Sequence, residues 1–315
     1  MIGSLIEQYP KYHHLVASTQ LVLAMLGMGM VMRPRDFIEL VLEPKPMITG
    51  MLYQLVGIPL LTVLLIFFIK LPPEIVVGFF MLAAMPGGSM SNIYTHLGKG
   101  NAALSVALTG FMTLLALITA PLILRIFASE YIPADIEMPA GVIMREIFLY
   151  LLMPLAAGMG LGRIVGAKKA HLVSIWTVRG SLVALGVLVV GSLGSGQIDV
   201  GSYGYRIPIL VFLYCLIIQV VILRGSLYVL KFSQRDATTL GIESSMKNVN
   251  LSLLIAASFF KLDGPNAEFG GGVLFVLLLY GGVSLFVSAV PAITNHRHLK
   301  KQGRLAEVEG DTNTE

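Results

Sequence analysis

Apolar residues dominate long stretches of the chain, and short polar or proline- and glycine-rich turns separate these stretches. A transmembrane helix needs about 20 predominantly apolar residues, and each stretch is long enough for one. The turns, such as Pro72-Pro73 and Gly264-Pro265, contain residues that interrupt helices. The pattern predicts an all-α polytopic membrane protein with nine transmembrane helices, near residues 14–32, 47–69, 75–97, 102–127, 140–162, 173–194, 207–230, 238–260 and 270–294.

The composition supports this class of protein. Hydrophobic residues make up 56% of the chain and charged residues 13%, whereas soluble domains carry about 25% charged residues. The single cysteine, Cys215, lies in an apolar stretch, so a disulfide framework is excluded. Residues 1–13 are mixed polar and no cleavage pattern follows them, so we take the next apolar stretch as the first span.

Two of the predicted spans are interrupted by polar and helix-breaking residues. The third contains PGG at 86–88 followed by SMSN at 89–92, and the eighth contains ESSMKN at 243–248. A break in lipid leaves backbone groups without partners, so it has to face protein or a cavity. A proline kink would explain one break, but two in corresponding halves are typical of a transporter site in an inverted repeat. The letters SMSN at 89–92 align with SMKN at 245–248, which favours the repeat.

Lysine and arginine concentrate in alternate connections between the spans. One set of connections, with the C-terminal tail, carries thirteen of them and the other set carries five. The positive-inside rule then places the N-terminus outside and the C-terminus in the cytoplasm, and the third and eighth spans are antiparallel. In the cell (inner or plasma) membrane we expect an extracellular N-terminus over 1–13, a nine-span transporter domain over 14–294 and a cytoplasmic tail over 295–315.

Glu243 is the most costly residue to bury. A charged side chain at the centre of a bilayer costs about 2.5–3.5 kcal/mol on insertion scales, and it usually has a functional partner there. Lys247 follows four residues later and lies on the same helix face if the helix continues. Either the two side chains neutralise each other, or Glu243 serves an ion or a proton.

Hydroxyl groups recur in the fourth span. Ser105 and Thr109 are spaced i, i+4, so their side chains point the same way. Each hydroxyl either bonds a carbonyl of its own helix or joins a shared site. Together with Ser91, Asn92 and Glu243 they supply five oxygen donors, one of them charged, and small hard cations prefer such a shell.

At these residues the sequence resembles the bile acid:sodium symporter family, over nearly the whole chain. The nine-span form resembles members that lack the first helix of the ten-helix form. The motifs that carry the resemblance are GMG at 27–29 with RPxDF at 33–37, Gln54 with Pro59, PGGxxSN at 86–92, KGNxxLS at 99–105 and ESSMKN at 243–248.

The resemblance implies a core domain and a panel domain. The core would hold spans 3, 4, 8 and 9 with a neighbouring helix, and spans 3 and 8 would cross as broken helices. The resemblance also implies two sodium sites and a substrate carboxylate near the half-helix N-termini, which carry partial positive charge. The matching residues are Ser91, Asn92, Ser105, Thr109 and Glu243 for the first sodium, Gln54, Glu243 and Met246 for the second, and Ser89 and Asn248 for the substrate.

Lys247 departs from the family pattern, which usually has glutamine at this position. An ammonium group donates hydrogen bonds and cannot ligate sodium. We therefore expect one sodium ion, with Lys247 standing in for the second cation. Alternatively Lys247 titrates and couples transport to protons, or the transporter works without sodium.

These features together predict a secondary active transporter. It would carry an organic anion, bile-acid-like or a small carboxylate, inward with sodium by alternating access. An ion-responsive receptor or channel is the alternative outside this class. We expect no enzyme, because GKG at 98–100 lacks the Ser or Thr of a phosphate-binding loop and no GxSxG motif occurs. The expected partners are the small anion and the lipid bilayer, and not nucleic acid.

Overall fold

The computed structural model describes residues 2–32, 44–194, 201, 203–260 and 266–301. The described residues form helices and turns with one isolated backbone bridge, which confirms the all-α polytopic class. The motif predicted at 33–37, the turn at 264–265 and the part of the predicted tail beyond 301 lie outside the described residues.

The described chain forms helices near the predicted segments, but α1 begins at Ile2, before the predicted start near 14, and α11 continues to Lys301, past the predicted end near 294. Seven of them, α1, α2, α5, α6, α7, α8 and α11 below, are long and apolar enough to cross a membrane. The helices are α1 (Ile2–Val31), α2 (Pro44–Phe68), α3 (Pro73–Ala84), α4 (Ser89–Leu97), α5 (Ala102–Tyr131), α6 (Ala140–Val165), α7 (Ala167–Gly194), α8 (Arg206–Val229), α9 (Gln234–Ser245), α10 (Val249–Phe259) and α11 (Ala267–Lys301).

The third and eighth predicted spans each consist of two short helices. The pair α3 and α4 is separated by residues 85–88, and the pair α9 and α10 by residues 246–248. A proline kink bends a helix that continues on both sides, whereas here the helical structure stops and starts again. The predicted breaks are therefore present in both segments.

Local sequence explains where several helices begin. Pro73 is the first residue of α3, a position where its missing N–H costs nothing and its fixed φ suits the helix. Asn101 caps α5 by accepting a hydrogen bond from Leu104 N at 3.1 Å. Ser233 caps α9 in the same way, accepting from Asp236 N at 3.1 Å. These caps satisfy N–H groups that a helix start leaves without partners.

Helix α1 lies closely against α6 and α7. Gly158 of α6 lies so near α1 that a Cβ atom there would meet the Leu26 carbonyl oxygen, and the Gly29 Cα at 3.0 Å. Small residues at such contacts let helix backbones approach each other, which strengthens packing in lipid. Gly160, two residues later, is exposed, and a Cβ atom there would have nothing within 4 Å.

The first half-helix of each pair, α3 or α9, lies inside the helix assembly. Every residue of α3 from Ile75 to Ala84 is buried, and so is every residue of α9 from Ala237 to Ser245. Helices α2 and α7, by contrast, bury only 22% and 17% of their most apolar 18-residue stretches. This arrangement puts the two breaks among protein neighbours, where unwound backbone can be satisfied.

Candidate functional site

The two breaks cross each other at the centre of the candidate site. Gly88 N donates to Met246 O at 2.9 Å, and Asn248 N donates to Pro86 O at 2.9 Å. These two bonds form an antiparallel bridge that pairs Gly87 with Lys247. Each break thereby supplies partners for backbone groups that the other has released from helical bonding, as burial of backbone requires.

The positions of the half-helices correct the alignment of SMSN with SMKN. Ser89 is the first residue of α4, whereas Ser245 is the last residue of α9, and the half-helix that corresponds to α4 begins at Val249. The aligned letters are therefore four positions out of structural register. Both segments are rich in serine and asparagine because both lie at breaks, which makes a short letter match easy to find at the wrong offset.

Glu243 is fully buried in the last turn of α9 and is surrounded by hydroxyl groups. Ser91 Oγ of α4 donates to Glu243 Oε1 at 2.7 Å, and Thr109 Oγ1 of α5 donates to Oε2 at 2.7 Å. Ser105 Oγ of α5 also donates to Oε1. The alternative in which Ser105 and Thr109 bond only their own helix is therefore wrong. Three helices converge on one carboxylate.

Asn92 completes the predicted set of five residues. With its side-chain nitrogen turned inward, it donates to Ser105 Oγ at 2.7 Å and to Glu243 Oε1 at 3.2 Å. With its oxygen inward, it accepts from Ser105 Oγ at 2.7 Å. Hydrogen-bond chemistry favours the first orientation beside a bare carboxylate. A cation in the cluster would instead favour the amide oxygen.

Gly87 lies directly against the carboxylate. A Cβ atom on this residue would be 2.5 Å from Glu243 Oε2 and 3.2 Å from Glu243 O. These distances leave no room for a methyl group. Packing against the Glu243 carboxylate therefore explains why the first glycine of PGG has no side chain. The Thr109 hydroxyl oxygen, at 3.6 Å, closes the same space from α5.

Lys247 lies in the second break and is buried, with 5% of its surface exposed. The charges of Lys247 and Glu243 attract each other, but no ion pair within 4 Å joins these two described residues. Among the residues that the structure describes, Lys247 Nζ also has no hydrogen-bond partner. The helix ends at Ser245, so Glu243 and Lys247 do not share one helix face, which was the condition for the alternative in which they neutralise each other.

The residues predicted for the second sodium site are buried, but no hydrogen bond within the described part of the chain joins their side chains. Gln54 is in a π-helical turn of α2, at Tyr53–Gly57, and neither polar atom of its side-chain amide has a hydrogen-bond partner in the described part of the chain. Such turns occur frequently at functional sites. Met246 lies in the break between α9 and α10, and its carbonyl accepts the bond from Gly88 N. Hydrogen bonds therefore define the first cluster and not the second.

A cavity of about 380 Å³ opens beside the crossing. Its polar wall is formed by residues at the starts of α4 and α10, and its remaining walls come from α1, α7 and α11. Asn248 caps α10 by accepting from Leu251 N at 3.1 Å, so its amide N–H groups are left to donate. The polar wall includes Gly88, Ser89, Lys247, Asn248 and Asn250.

The turn between α4 and α5, which contains the KGN motif, is held by hydrogen bonds to α9 and α11 that could not be predicted from the motif. Asn101 Nδ2 donates to Asp236 Oδ1 at 2.8 Å, and Asn101 N donates to Thr239 Oγ1 at 2.8 Å. Asn295 Nδ2 of α11 donates to Gly98 O at 2.7 Å. These bonds tie the end of α4 to α9 and α11. The asparagine in KGN is therefore both a helix cap and a link between the two broken segments.

Two broken helices that cross beside a cluster of oxygen donors are typical of secondary transporters. A family model described as the Sodium Bile acid symporter family matches residues 19–196. The chain is 32% identical over 249 residues to the uncharacterized sodium-dependent transporter YocS of Bacillus subtilis. The alignment covers 75% of this chain and 72% of that protein. The chain belongs to the sodium bile acid symporter family.

Other relatives agree with this assignment. The probable chloroplastic sodium/metabolite cotransporter BASS1 of Arabidopsis thaliana is 29% identical over 242 residues, covering 76% of this chain and 58% of that one. The human sodium/bile acid cotransporter 4 is 30% identical over 182 residues, covering 55% and 40%. The alignments thus span less than two thirds of these two relatives. Family membership and the apolar helices make the protein a multi-pass membrane transporter of the sodium bile acid symporter type.

Replacing Gly87 by alanine should destabilise the protein, because the added methyl group displaces the Glu243 carboxylate from its hydroxyl partners. We expect a loss of about 1–3 kcal/mol, as for overpacking elsewhere. The measurement is thermal unfolding of purified protein in detergent. Gly186→Ala is the control, since nothing lies within 4 Å of a Cβ there. An equal melting temperature for the two variants would contradict this account of the packing.

Proposed function

We propose that this protein carries an organic anion, bile-acid-like or a small carboxylate, into the cell together with sodium by alternating access. The observation that carries the proposal is the cluster of five oxygen-bearing side chains, one of them a buried carboxylate, beside a cavity. The residues are Ser91, Asn92, Ser105, Thr109 and Glu243.

The chemistry of this donor set suits sodium. Hard cations take oxygen ligands, and Glu243 supplies the negative charge that offsets one bound cation. In the described geometry the three hydroxyl groups direct their hydrogens at the carboxylate. Binding of sodium would turn these hydrogens away and present oxygen lone pairs to the ion. The ion would then replace the hydroxyl hydrogens as the positive partner of the carboxylate.

The substrate anion is proposed to bind at the starts of α4 and α10. The N-terminus of a helix carries about half a positive charge and N–H groups that suit a carboxylate. Ser89 is the first residue of α4, and Asn248 caps α10, and both line the cavity. Much of the remaining cavity wall is apolar, which suits the body of an amphipathic anion.

Helix α4 links the two proposed sites. Ser89 faces the cavity, while Ser91, two residues later, bonds Glu243 in the ion cluster. A sodium ion that organises Ser91 would also fix the start of α4, where the anion is proposed to bind. This shared half-helix gives a physical reason for coupling anion binding to sodium binding.

The proposed topology counts each pair of half-helices as one span. The pairs α3–α4 and α9–α10 then add to the seven long helices and restore the nine predicted spans. Spans 3, 4, 8 and 9 with a neighbouring helix would form the core, and the others the panel. The sequence charges favour an extracellular N-terminus over 1–13, the transporter domain over 14–294 and a cytoplasmic tail over 295–315.

A second candidate mechanism follows from Lys247. Its ammonium group is buried without a hydrogen-bond partner, close enough to Glu243 for the charges to attract. It would stand in for a second sodium near Gln54 and Met246, so that at most one sodium is carried. In a second version, Lys247 exchanges a proton during transport and the coupling ion is H⁺. In a third version, the charge of Lys247 replaces the ion and transport is not coupled to any ion.

Glu243→Gln should abolish sodium-driven uptake while the protein still folds and inserts, because the amide keeps the shape but loses the charge that holds the cation. Uptake of labelled cholate and of labelled C3–C8 monocarboxylates into proteoliposomes measures this. Glu146→Gln is the control, since Glu146 is a buried carboxylate that pairs with His14 at 3.4 Å, apart from the cluster. Full uptake by Glu243→Gln would show that Glu243 is structural.

Counterflow of label in the wild type separates a transporter from an ion-responsive receptor.

Lys247→Gln should raise the sodium dependence of uptake from about first order towards about second order, because it removes a fixed positive charge and adds an oxygen ligand. The Hill coefficient for sodium in the same proteoliposomes is the readout. Lys168→Gln, an exposed substitution, serves as the control. Second-order sodium dependence in the wild type would contradict the role given to Lys247.

A further inference from the structure

Polar side chains continue beyond the Glu243 cluster, on the same three helices that form it. On α9, Asp236, Thr239 and Glu243 are spaced i, i+3, i+7, so they share one face of the helix. A spacing of four residues repeats on the other two helices, with Ser91 and Thr95 on α4, and with the cap Asn101 and Ser105 at the start of α5. These residues form a polar stripe that runs from Glu243 toward the turn between α4 and α5. Polar residues inside a membrane protein are costly, so the stripe needs a reason of its own.

The three helices bring the stripe together about one helical turn, or about 6 Å, from Glu243. Asn101 N donates to Thr239 Oγ1 at 2.8 Å, so the start of α5 lies against α9 at this level. A Cβ atom on Gly100 would be 2.7 Å from Thr239 Oγ1 and 2.9 Å from Thr95 Cγ2. The side chains of Thr95 and Thr239 therefore both lie against Gly100, where no side chain fits.

The hydroxyl group of Thr95 is the least satisfied part of the stripe. Threonines in membrane helices often donate to the carbonyl four residues earlier, and Thr62 and Thr119 do so here at 2.9 and 3.1 Å. Thr95 Oγ1 has no hydrogen-bond partner within the described ranges, and 0% of the residue's surface is exposed. A buried hydroxyl without a partner is unfavourable, and valine would fill the same space without that cost. Providing an oxygen ligand for a passing cation is a function that would retain the hydroxyl.

Asp236 ends the stripe on α9, about 10 Å from Glu243 along the helix, and it is partly exposed. Its carboxylate accepts from Ser233 Oγ at 2.6 Å, which belongs to the cap of α9, and from Asn101 Nδ2 at 2.8 Å, which does not. Both partners are neutral, and in the described part of the chain no salt bridge within 4 Å joins this carboxylate to a basic side chain. The charge of Asp236 can therefore attract a cation at the outer end of the stripe.

The turn between α4 and α5 closes the stripe at this end. Lys99 in the turn has a φ of 54°, a left-handed conformation that glycine usually adopts after a helix. Asn295 Nδ2 of α11 holds the turn by donating to Gly98 O at 2.7 Å. Residues in such sparsely populated conformations cluster at switch regions, where the surrounding structure holds them in place. The turn therefore has the properties of a gate that opens when a few hydrogen bonds are released.

We infer that sodium leaves the Glu243 cluster along this stripe, past Thr95 and Thr239 to Asp236, and that the turn at 98–101 gates the path. The inference rests on the proposed function, in which the Glu243 cluster binds sodium. Asn295 lies near the C-terminal end of α11, so the path leads to the side of the membrane where α11 ends. In the proposed topology that side is the cytoplasm, which agrees with inward transport.

The test uses the silver ion, a thiol-reactive cation close to sodium in size, on the full-length protein in oriented proteoliposomes without sodium or chloride. Thr95→Cys places a thiol on the path, and the native Cys215, which is buried, sets the background. After timed exposure to silver nitrate on one side, the thiols that still react with a maleimide in denaturant are counted. Leu240→Cys is the matched control, since Leu240 is equally buried but packs where a Cβ atom on Gly50 of α2 would lie.

Thr95→Cys should react with silver from the side where α11 ends, and much more slowly from the other side. Adding Asp236→Asn to this variant should slow the reaction about tenfold, because it removes the charge that concentrates cations at the entrance. Adding Asp135→Asn instead should leave the rate unchanged, since Asp135 is an exposed carboxylate that bonds Asn266 and lies outside the stripe.

Thr239→Cys places a thiol at the same level and replaces Thr95→Cys if that variant does not insert. Equal rates from both sides, a rate no higher than that of Leu240→Cys, or a rate that Asp236→Asn does not change overturns the inferred path. Each of these results leaves the proposed function standing, because the labelling does not depend on transport. Absence of sodium-driven uptake by the wild type would overturn the proposed function, and the path with it.

Discussion

A carboxylate buried inside a membrane protein needs partners, and the burial of Glu243 sets the conditions for everything around it. Three hydroxyl groups from α4 and α5 reach the carboxylate, and Gly87 has no side chain because the carboxylate occupies that space. Hydrogen bonds alone leave the negative charge uncompensated, apart from the nearby Lys247. A cation bound among the oxygen atoms would compensate it directly. The proposed cation site and the burial of Glu243 would then answer one electrostatic requirement.

The crossing of the two breaks makes this cluster possible. Unwinding a helix in a membrane releases backbone groups that water cannot satisfy. Here the breaks satisfy each other through the bonds Gly88 N to Met246 O and Asn248 N to Pro86 O. Tyr280 OH also donates to Ser245 O at 2.6 Å. The result of unwinding is that two helix N-termini open onto one cavity, next to the oxygen cluster around Glu243.

Much of the fold could be predicted from the sequence, because lipid imposes simple rules on span length and on polar residues. The interruptions at PGG and ESSMKN, and Glu243 with the four residues around it, were all identifiable from residue type and spacing. The register of the crossing could not be predicted from the sequence, because it depends on which backbone groups pair between segments that lie far apart in sequence. The relation of Lys247 to Glu243 was also missed, since i, i+4 spacing assumes a continuous helix and α9 ends between them.

The melting temperature of the purified protein against sodium concentration, at constant ionic strength with choline as replacement, tests whether the Glu243 cluster binds the coupling ion. A ligand that binds the native state stabilises it by RT ln(1 + [L]/Kd), or about 2.7 kcal/mol at 100 times Kd. Saturable stabilisation is predicted for the wild type and for Thr119→Val, because Thr119 bonds only the Leu115 carbonyl of its own helix. Thr109→Val, which removes a hydroxyl from the cluster, should shift the curve to much higher sodium. A flat curve for the wild type, or the same curve for Thr109→Val and Thr119→Val, would contradict a sodium site at Glu243.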